Sequence, residues 1–516
     1  MRRRKLLLPA AAVAVVLTAA AAVELFGFMY QPGEPDKKPP APVQVQAWVT
    51  TADQSSLLAP GEPFFFTEGS AGGADSGQGD SEPGQSSAEL PVISVNPEEE
   101  YQTMDGFGAS VTGSSAFLIN KRMSAAQRDD LLKDLFTQQG IRLTFVRHSI
   151  GASDFSVDAE GNPASYTYDD LESGEDYGLE RFSVAKDGDV TGLLQRIISV
   201  NNYVKVMGTP WTAPPWMKYG EQIFGGWYLN YAEPRVYSAY AQYLARYIKA
   251  YEALGIPVYA VTVQNEPEFT TPDYPSMSMG AEEQARFIGD YLGPEFSRNG
   301  ITTKIVAFDH NWDIAESYVD SVLGNSQAND YTDGTAYHCY AGSPEAMSRV
   351  HEAYPDKAIY VTECSGGAWS EDFGGNLGWL MSKLIIGGPR NWAKTVLLWN
   401  LALDSEGGPQ NGGCRNCRGV VTVDGGEEKG YSRNVEYYAL GHASRFVDPG
   451  AVRIGSSQND GIENVAFRNP DHSLVLIALN TWDENRTFKV QWENRMYTFT
   501  LPARAAATFK WDTEQD

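Results

Sequence analysis

Two glutamates stand at the ends of runs that otherwise carry no charge: Glu266 in Val261-Thr262-Val263-Gln264-Asn265-Glu266, and Glu363 in Tyr360-Val361-Thr362-Glu363. Burying a carboxylate in such a place is expensive unless the group is partnered or used. A pair of carboxyl groups among Trp, Tyr, Asn and His is the equipment for splitting a glycosidic bond. One keeps a proton for the leaving oxygen, while the other attacks the anomeric carbon or activates water. Taken alone, either glutamate reads as well as a cap on a following helix; their joint occurrence points to chemistry. Other polar or aromatic residues end neighbouring runs: Arg147 and Asp154, Trp211, His338 and Tyr340, and Trp399. Asn265, beside Glu266, suits a hydrogen bond to a sugar hydroxyl near the reacting carbon. The Trp faces suit sugar C–H surfaces. His338 reads as a residue that orients a carboxylate rather than as a general base.

Side chains scattered over 250 residues need a scaffold that gathers them. Eight short apolar runs alternate with helical stretches: Met104–Thr112, Leu143–Ile150, Tyr203–Gly208, Val258–Val263, Lys304–Phe308, Gly334–Tyr340, Ala358–Thr362 and Thr395–Leu401. Between them lie segments such as Val236–Leu254, where Tyr240, Tyr243, Leu244, Tyr247, Ile248 and Tyr251 recur at helical spacing. Those tyrosines read as core packing rather than ligand contacts. The alternation predicts an α/β fold, a (β/α)8 TIM barrel over residues 99–430, with its chemistry at the C-terminal strand ends. From residue 431 to 516 the pattern becomes short alternating strands with polar turns, which predicts a β-sandwich. Val43–Thr50 alternates in the same way and needs a host sheet. Residues 43–98 are therefore expected to supply N-terminal strands to that domain, making it discontinuous and built from both chain ends. Within them, residues 70–87 are rich in Gly, Ser, Asp and Glu and are expected to be a disordered insertion.

The 516-residue chain is acidic, with a net charge of −26 and a pI near 4.6. That balance repels phosphates, which excludes nucleic acid as a partner and argues against purely electrostatic docking on an anionic lipid surface. Residues 1–23 carry Arg2, Arg3, Arg4 and Lys5 ahead of an apolar stretch with small residues at its end. This pattern is a signal peptide or an uncleaved N-terminal anchor, followed by a linker over 24–42. Either reading exports the body to the cell surface or beyond, and the anchor is the only membrane contact expected. No cysteine follows the apolar run, so a bacterial lipoprotein is excluded. Four cysteines rule out a disulfide scaffold. Cys414 and Cys417 form a CxxC that is either a local disulfide or two thiols, with no second pair to complete a metal site. Cys339 and Cys364 are expected to be buried free thiols.

The segments YQTMDGFGASVTGSSA, VRHSIGASDFS with YTYDD, GTPWTAPPWMK, VTVQNEPEF, YVTECSGG and LLWNLALDSEGGP, in this order, resemble glycoside hydrolase family 30. That family includes β-glucosidases of the glucocerebrosidase type. The resemblance implies a retaining β-glycosidase with Glu266 as acid/base and Glu363 as nucleophile. Its sugar-binding positions would be Arg147, Asp154, Trp211, Asn265, His338, Tyr340 and Trp399, with no metal or cofactor required. Retention predicts carboxyl groups roughly 5–5.5 Å apart. A glucosylceramidase-type β-glucosidase is the first expectation. The alternative is an endo-β-1,6-glucanase or galactanase, and a non-catalytic carbohydrate-binding protein is third. A closed pocket would favour the first, and an open groove with spaced aromatic platforms the second. Any of the three takes a β-linked glycoside, glycolipid or oligo- or polysaccharide as partner.

Overall fold

A computed structural model describes residues 42–68, 90–424 and 429–513. The expected export segment, the linker up to residue 41 and the acidic insertion lie outside the described residues. Among the described residues, no helix is long and apolar enough to cross a membrane.

Eight parallel strands close into a barrel in chain order: Gly106–Ser110, Phe145–Ile150, Lys205–Pro210, Val258–Thr262, Lys304–Asn311, Gly334–His338, Ala358–Glu363 and Ala393–Leu398. Phe145, Met207, Ala260, Val306, Ala336, Tyr360 and Leu397 fill its interior, one from each of seven strands. The barrel is therefore a packed core whose C-terminal rim alone is free for a site. Outside it, helix Pro234–Ala253 starts with proline at its first position and the Glu233 carboxylate accepting from the Arg235 N–H. Its tyrosines 240, 243, 247 and 251 are fully buried, as their spacing predicts.

The β-domain takes strands from both chain ends. Gln44–Thr50 pairs antiparallel with Ala506–Trp511, setting Val45 opposite Trp511. Val92–Thr103 pairs with Val452–Ser456 and, in parallel, with Arg486–Trp492. The resulting eleven-stranded sheet wraps a second core that includes Val45, Ile93, Leu476, Phe488, Phe509 and Trp511. Two boundaries differ from the sequence reading. The strand beginning at Val92 runs on to Thr103, so residues 99–103 belong to the sheet rather than the barrel. The segment from Tyr431 first forms a short strand, Tyr431–Arg433, paired with Val421–Val423, and then a helix, Val435–Ser444, which packs on the first barrel strand. All ten of its residues are buried, so it has no polar face and no helical period to recognise.

This helix is also the joint between barrel and sheet. The two ring nitrogens of His442 each lie 2.9 Å from a hydroxyl, Thr508 Oγ1 and Thr50 Oγ1, and burial pushes its pKa down to about 3. A histidine held neutral in the fold lets the unfolded chain bind the extra proton, so stability should fall as pH drops from about 6.5 towards 3. His442→Gln should flatten that fall by a few kcal/mol, read as the difference in denaturant unfolding free energy between pH 7 and pH 4. An unchanged difference would remove His442 from the acid response.

Candidate active site

The fourth and seventh strands deliver the two glutamates to one point of the rim. Beyond Thr262 the chain turns, with the Asn265 N–H donating to Pro210 O at the tip of strand three and the Glu266 N–H to Asp309 O of strand five. Glu266 sits at φ +43°, a left-handed conformation that costs a non-glycine residue energy and is kept where neighbours enforce it. Glu363 ends strand seven directly. Carboxylate oxygens of Glu266 and Glu363 and a ring nitrogen of His338 all lie within 4.8 Å of one another. That spacing belongs with the short separation of retaining glycosidases rather than with the roughly 6.5–9.5 Å that leaves room for water in inverting ones.

Beneath the glutamates lies a network centred on Arg147 and Asp309, both fully buried. Arg147 Nη1 donates to Glu363 Oε2 at 2.5 Å, and Nη2 to Asn265 Oδ1 at 2.7 Å and Asp309 Oδ2 at 3.0 Å. His338 bridges the other side, with Nδ1 3.1 Å from Glu266 Oε1 and Nε2 3.0 Å from Asp309 Oδ1. Thr262 and Thr362 donate to the two Asp309 oxygens at 2.7 and 2.6 Å. Two strand irregularities make this convergence possible. Phe308 and Asp309 both have φ near +75°, and the ladder with strand six slips across them. The ladder between strands six and seven slips at Thr362, setting His338 opposite Glu363. Each slip turns a side chain into the barrel mouth that regular alternation would face elsewhere.

The charges settle accordingly. Burial pushes Asp309 up, and Arg147 with His338 more than reverses this, leaving its carboxyl far below the usual range. Burial lowers His338, while the Glu363 charge and its bonds to Asp309 and Glu266 raise it, to about 10. Glu266 is raised by burial but held below its ordinary value overall by His338. Asp154 goes the other way: burial and then the charges of Glu363 and Glu266 lift it well above the carboxylate range.

Every residue named from the sequence lies in or beside this cluster. Tyr340 OH donates to Glu363 Oε1 at 2.9 Å. Trp399 adjoins Asp154, whose Oδ1 is buried and without a hydrogen-bond partner among the described residues. Trp211 and Trp399 differ from expectation in how they present themselves. Their rings stack on each other at 5.1 Å with the Arg147 guanidinium near both, and each residue is only 3% exposed. The open aromatic faces belong instead to Tyr219, Trp227 and Tyr231 after strand three, Phe269 after strand four, Tyr340 after strand six, Trp369 after strand seven, and Trp379 on the helix Phe373–Leu380 that follows.

The cysteines also depart from the sequence reading. Cys339 and Cys364 are joined in a disulfide, not free. The cause is register: with His338 opposite Glu363, the residues that follow both lie side by side. Cys414 and Cys417 form the second disulfide, in the loop after strand eight. That loop closes over the Asp154 side, with the Asn411 N–H donating to Asp154 O at 2.6 Å. Asp309 itself was not picked out from the sequence. The signal was there, a charge directly after the apolar run Lys304–Phe308, the same mark that singled out Glu266 and Glu363. The threonines carried none, because threonine is an ordinary strand former.

Comparison with known proteins agrees with this fold. The family model described as "Glycosyl hydrolase family 30 TIM-barrel domain" matches residues 104–447, and that described as "Glycosyl hydrolase family 30 beta sandwich domain" matches residues 450–509. The endo-1,6-beta-D-glucanase neg1 of Aspergillus fumigatus is 35% identical over 78% of this chain and 84% of its own length. The lysosomal acid glucosylceramidase of Mus musculus is 26% identical over 81% of this chain and 83% of its own. Among solved structures, the endo-beta1,6-glucanase BT3312 superposes with a TM-score of 0.78 at 32% identity, covering 91% of this chain and all of that one.

Proposed function

The chain belongs to glycosyl hydrolase family 30, and from that premise we propose that it is an exported, retaining endo-β-1,6-glucanase with Glu363 as nucleophile and Glu266 as acid/base. The observation that carries the endo reading is the set of exposed aromatics after barrel strands three, four, six and seven, a surface suited to a sugar chain rather than to a single sugar. Similarity points the same way, since endo-1,6-glucanases match this chain at higher identity than the mouse glucosylceramidase. The glucosylceramidase reading favoured by sequence thus becomes the second choice. Two disulfides among four cysteines fit an oxidising compartment and support export.

In this mechanism Glu363, its oxygens held by Arg147 and Tyr340, attacks the anomeric carbon to form a glycosyl-enzyme. Glu266, paired with His338 Nδ1 at 3.1 Å, protonates the departing glycosidic oxygen. Glu266 then takes a proton from water, the water oxygen attacks the anomeric carbon, and Glu363 is released with β configuration kept. Asn265 and Asp154 hold sugar hydroxyls, the latter with an oxygen that otherwise lacks a partner.

A hydrolysis panel tests the substrate. Linear β-1,6-glucan should yield a ladder of β-1,6-linked oligosaccharides, with β-1,6-galactan, xylan, glucosylceramide and an aryl β-glucoside far slower. Glucose released only from glucosylceramide or the aryl glucoside would overturn the endo reading in favour of the glucosidase one. Glu266→Ala tests the acid/base: it should lose about a thousandfold on glucan but far less on a dinitrophenyl β-glucoside, with added azide accelerating turnover and giving β-glucosyl azide. Without that product, Glu266 is not the acid/base.

A further inference from the structure

Beyond Tyr340 lies a cavity of about 520 Å³ between the segments that follow strands six, seven and eight, helix Phe373–Leu380 among them. Its volume lies in the range of sites that enclose a small ligand. Tyr340 belongs to both places: its hydroxyl donates to Glu363 and lies 3.2 Å from Ser365 Oγ, which lines the cavity. Trp369 and Trp379 form aromatic walls, 57% and 41% exposed.

The floor is constructed, not incidental. Gly366–Gly367 pairs antiparallel with Cys417–Arg418, joining the loops of strands seven and eight. No other residue fits there: a Cβ on Gly366 would come within 1.8 Å of Glu436 Oε1, and one on Gly367 within 2.1 Å of the Trp369 ring. Trp369 thus rests on the bare backbone of Gly367. Arg418 is gripped by the buried Glu436 carboxylate through Nε and Nη2 at 2.8–3.1 Å, while Nη1 only approaches Gly367 O at 3.5 Å. The pair leaves a guanidinium edge for hydroxyls but no net charge, which suits an uncharged sugar and not a phosphate or uronate.

We propose that this cavity is the subsite for the first sugar on the leaving-group side of the scissile bond, with Trp369 and Trp379 stacking on that sugar. The inference rests on the endo-glucanase reading above. Its direction comes from the two sides of Glu363. Oε2 faces Arg147 and the closed Trp211–Trp399 end, which suits the sugar being attacked. Oε1 accepts from Tyr340, whose hydroxyl also reaches Ser365 on the cavity wall, so the open way out from Glu363 runs on this side.

The test uses the full chain, linear β-1,6-glucan and a β-1,6-linked glucotetraose labelled at its reducing end. Compared with Trp482→Ala, an equally open tryptophan on the β-domain (45% exposed), the double variant Trp369→Ala/Trp379→Ala should lose about tenfold or more in kcat/KM on glucan, chiefly through KM. It should also redistribute the label among tetraose products and transfer less glucosyl to added disaccharide acceptor. Trp369→Phe should recover part of the loss. If wild type cuts glucan and the double variant matches the Trp482→Ala control in kcat/KM and label pattern, the subsite is wrong while the endo-glucanase reading stands. If wild type leaves the glucan intact, the endo-glucanase reading falls and takes the subsite with it.

Discussion

Glu363→Gln should lower kcat about 10⁴-fold or more on every β-glucoside, activated or not, because a side-chain amide cannot form and release the glycosyl ester. The change is nearly isosteric. Arg147 keeps Asp309 as its buried counter-ion, so the network survives, and a thermal melt should show a folded protein. This separates Glu363 from Glu266, whose loss an activated leaving group offsets. A second reading comes from intact mass after incubation with a 2-deoxy-2-fluoro-β-glucosyl fluoride: wild type should gain one covalent sugar and Glu363→Gln none. Turnover within tenfold of wild type, or labelling of the variant, would remove Glu363 from the nucleophile role.

Asp309→Asn should be the most damaging change at a residue that never meets the substrate. Asp309 accepts from Arg147, His338, Thr262 and Thr362. An amide in its place removes the anion and turns an NH2 group towards donors. Breaking a buried ion pair on one side costs about 3–5 kcal/mol of stability, and kcat/KM should fall about 10²–10³-fold as Arg147 and His338 lose their anchor. A merely structural residue would stop there. Asp309 should also move the pH profile, because it helps hold His338 at about 10. A histidine raised in the fold contributes stability that is complete below its unfolded pKa, near 6.5, and is lost as pH climbs through the folded value. In Asp309→Asn that high-pH loss should begin earlier, and the basic limb of kcat/KM should shift to lower pH with it. A variant with reduced rate but an unmoved basic limb would refute the assignment.

The contrast between Glu363 and Asp309 shows what was legible in the sequence. A charge at the end of a β-branched run is a local mark, so Glu266 and Glu363 could be found and the alternation around them named the barrel. The slips that bring Asp309 and Thr362 into the mouth belong to pairs of strands, and no single segment records them. The Cys339–Cys364 bond was hidden for the same reason, since it depends on which residues of strands six and seven lie opposite. Trp211 and Trp399 lie beside Arg147, but composition could not show that they turn their faces on each other. Helix Val435–Ser444 escaped because burial on all sides erases the period by which a helix is recognised.

The pairing of Gln44–Thr50 with Ala506–Trp511 has a bearing on the order in which the molecule can be made. The ribosome presents the first of these strands long before the second, so until then the opening strand has only the short segments Ala59–Pro60 and Phe64–Phe65 to pair with. Contacts of such high sequence separation form slowly and leave an edge exposed while they wait. The barrel, whose neighbours in space are mostly neighbours in sequence, can assemble meanwhile. Removing residues 507–516 would take away Ala506–Trp511, leave Gln44–Thr50 only its two short partners, and undo the His442 joint that needs Thr508 as well as Thr50.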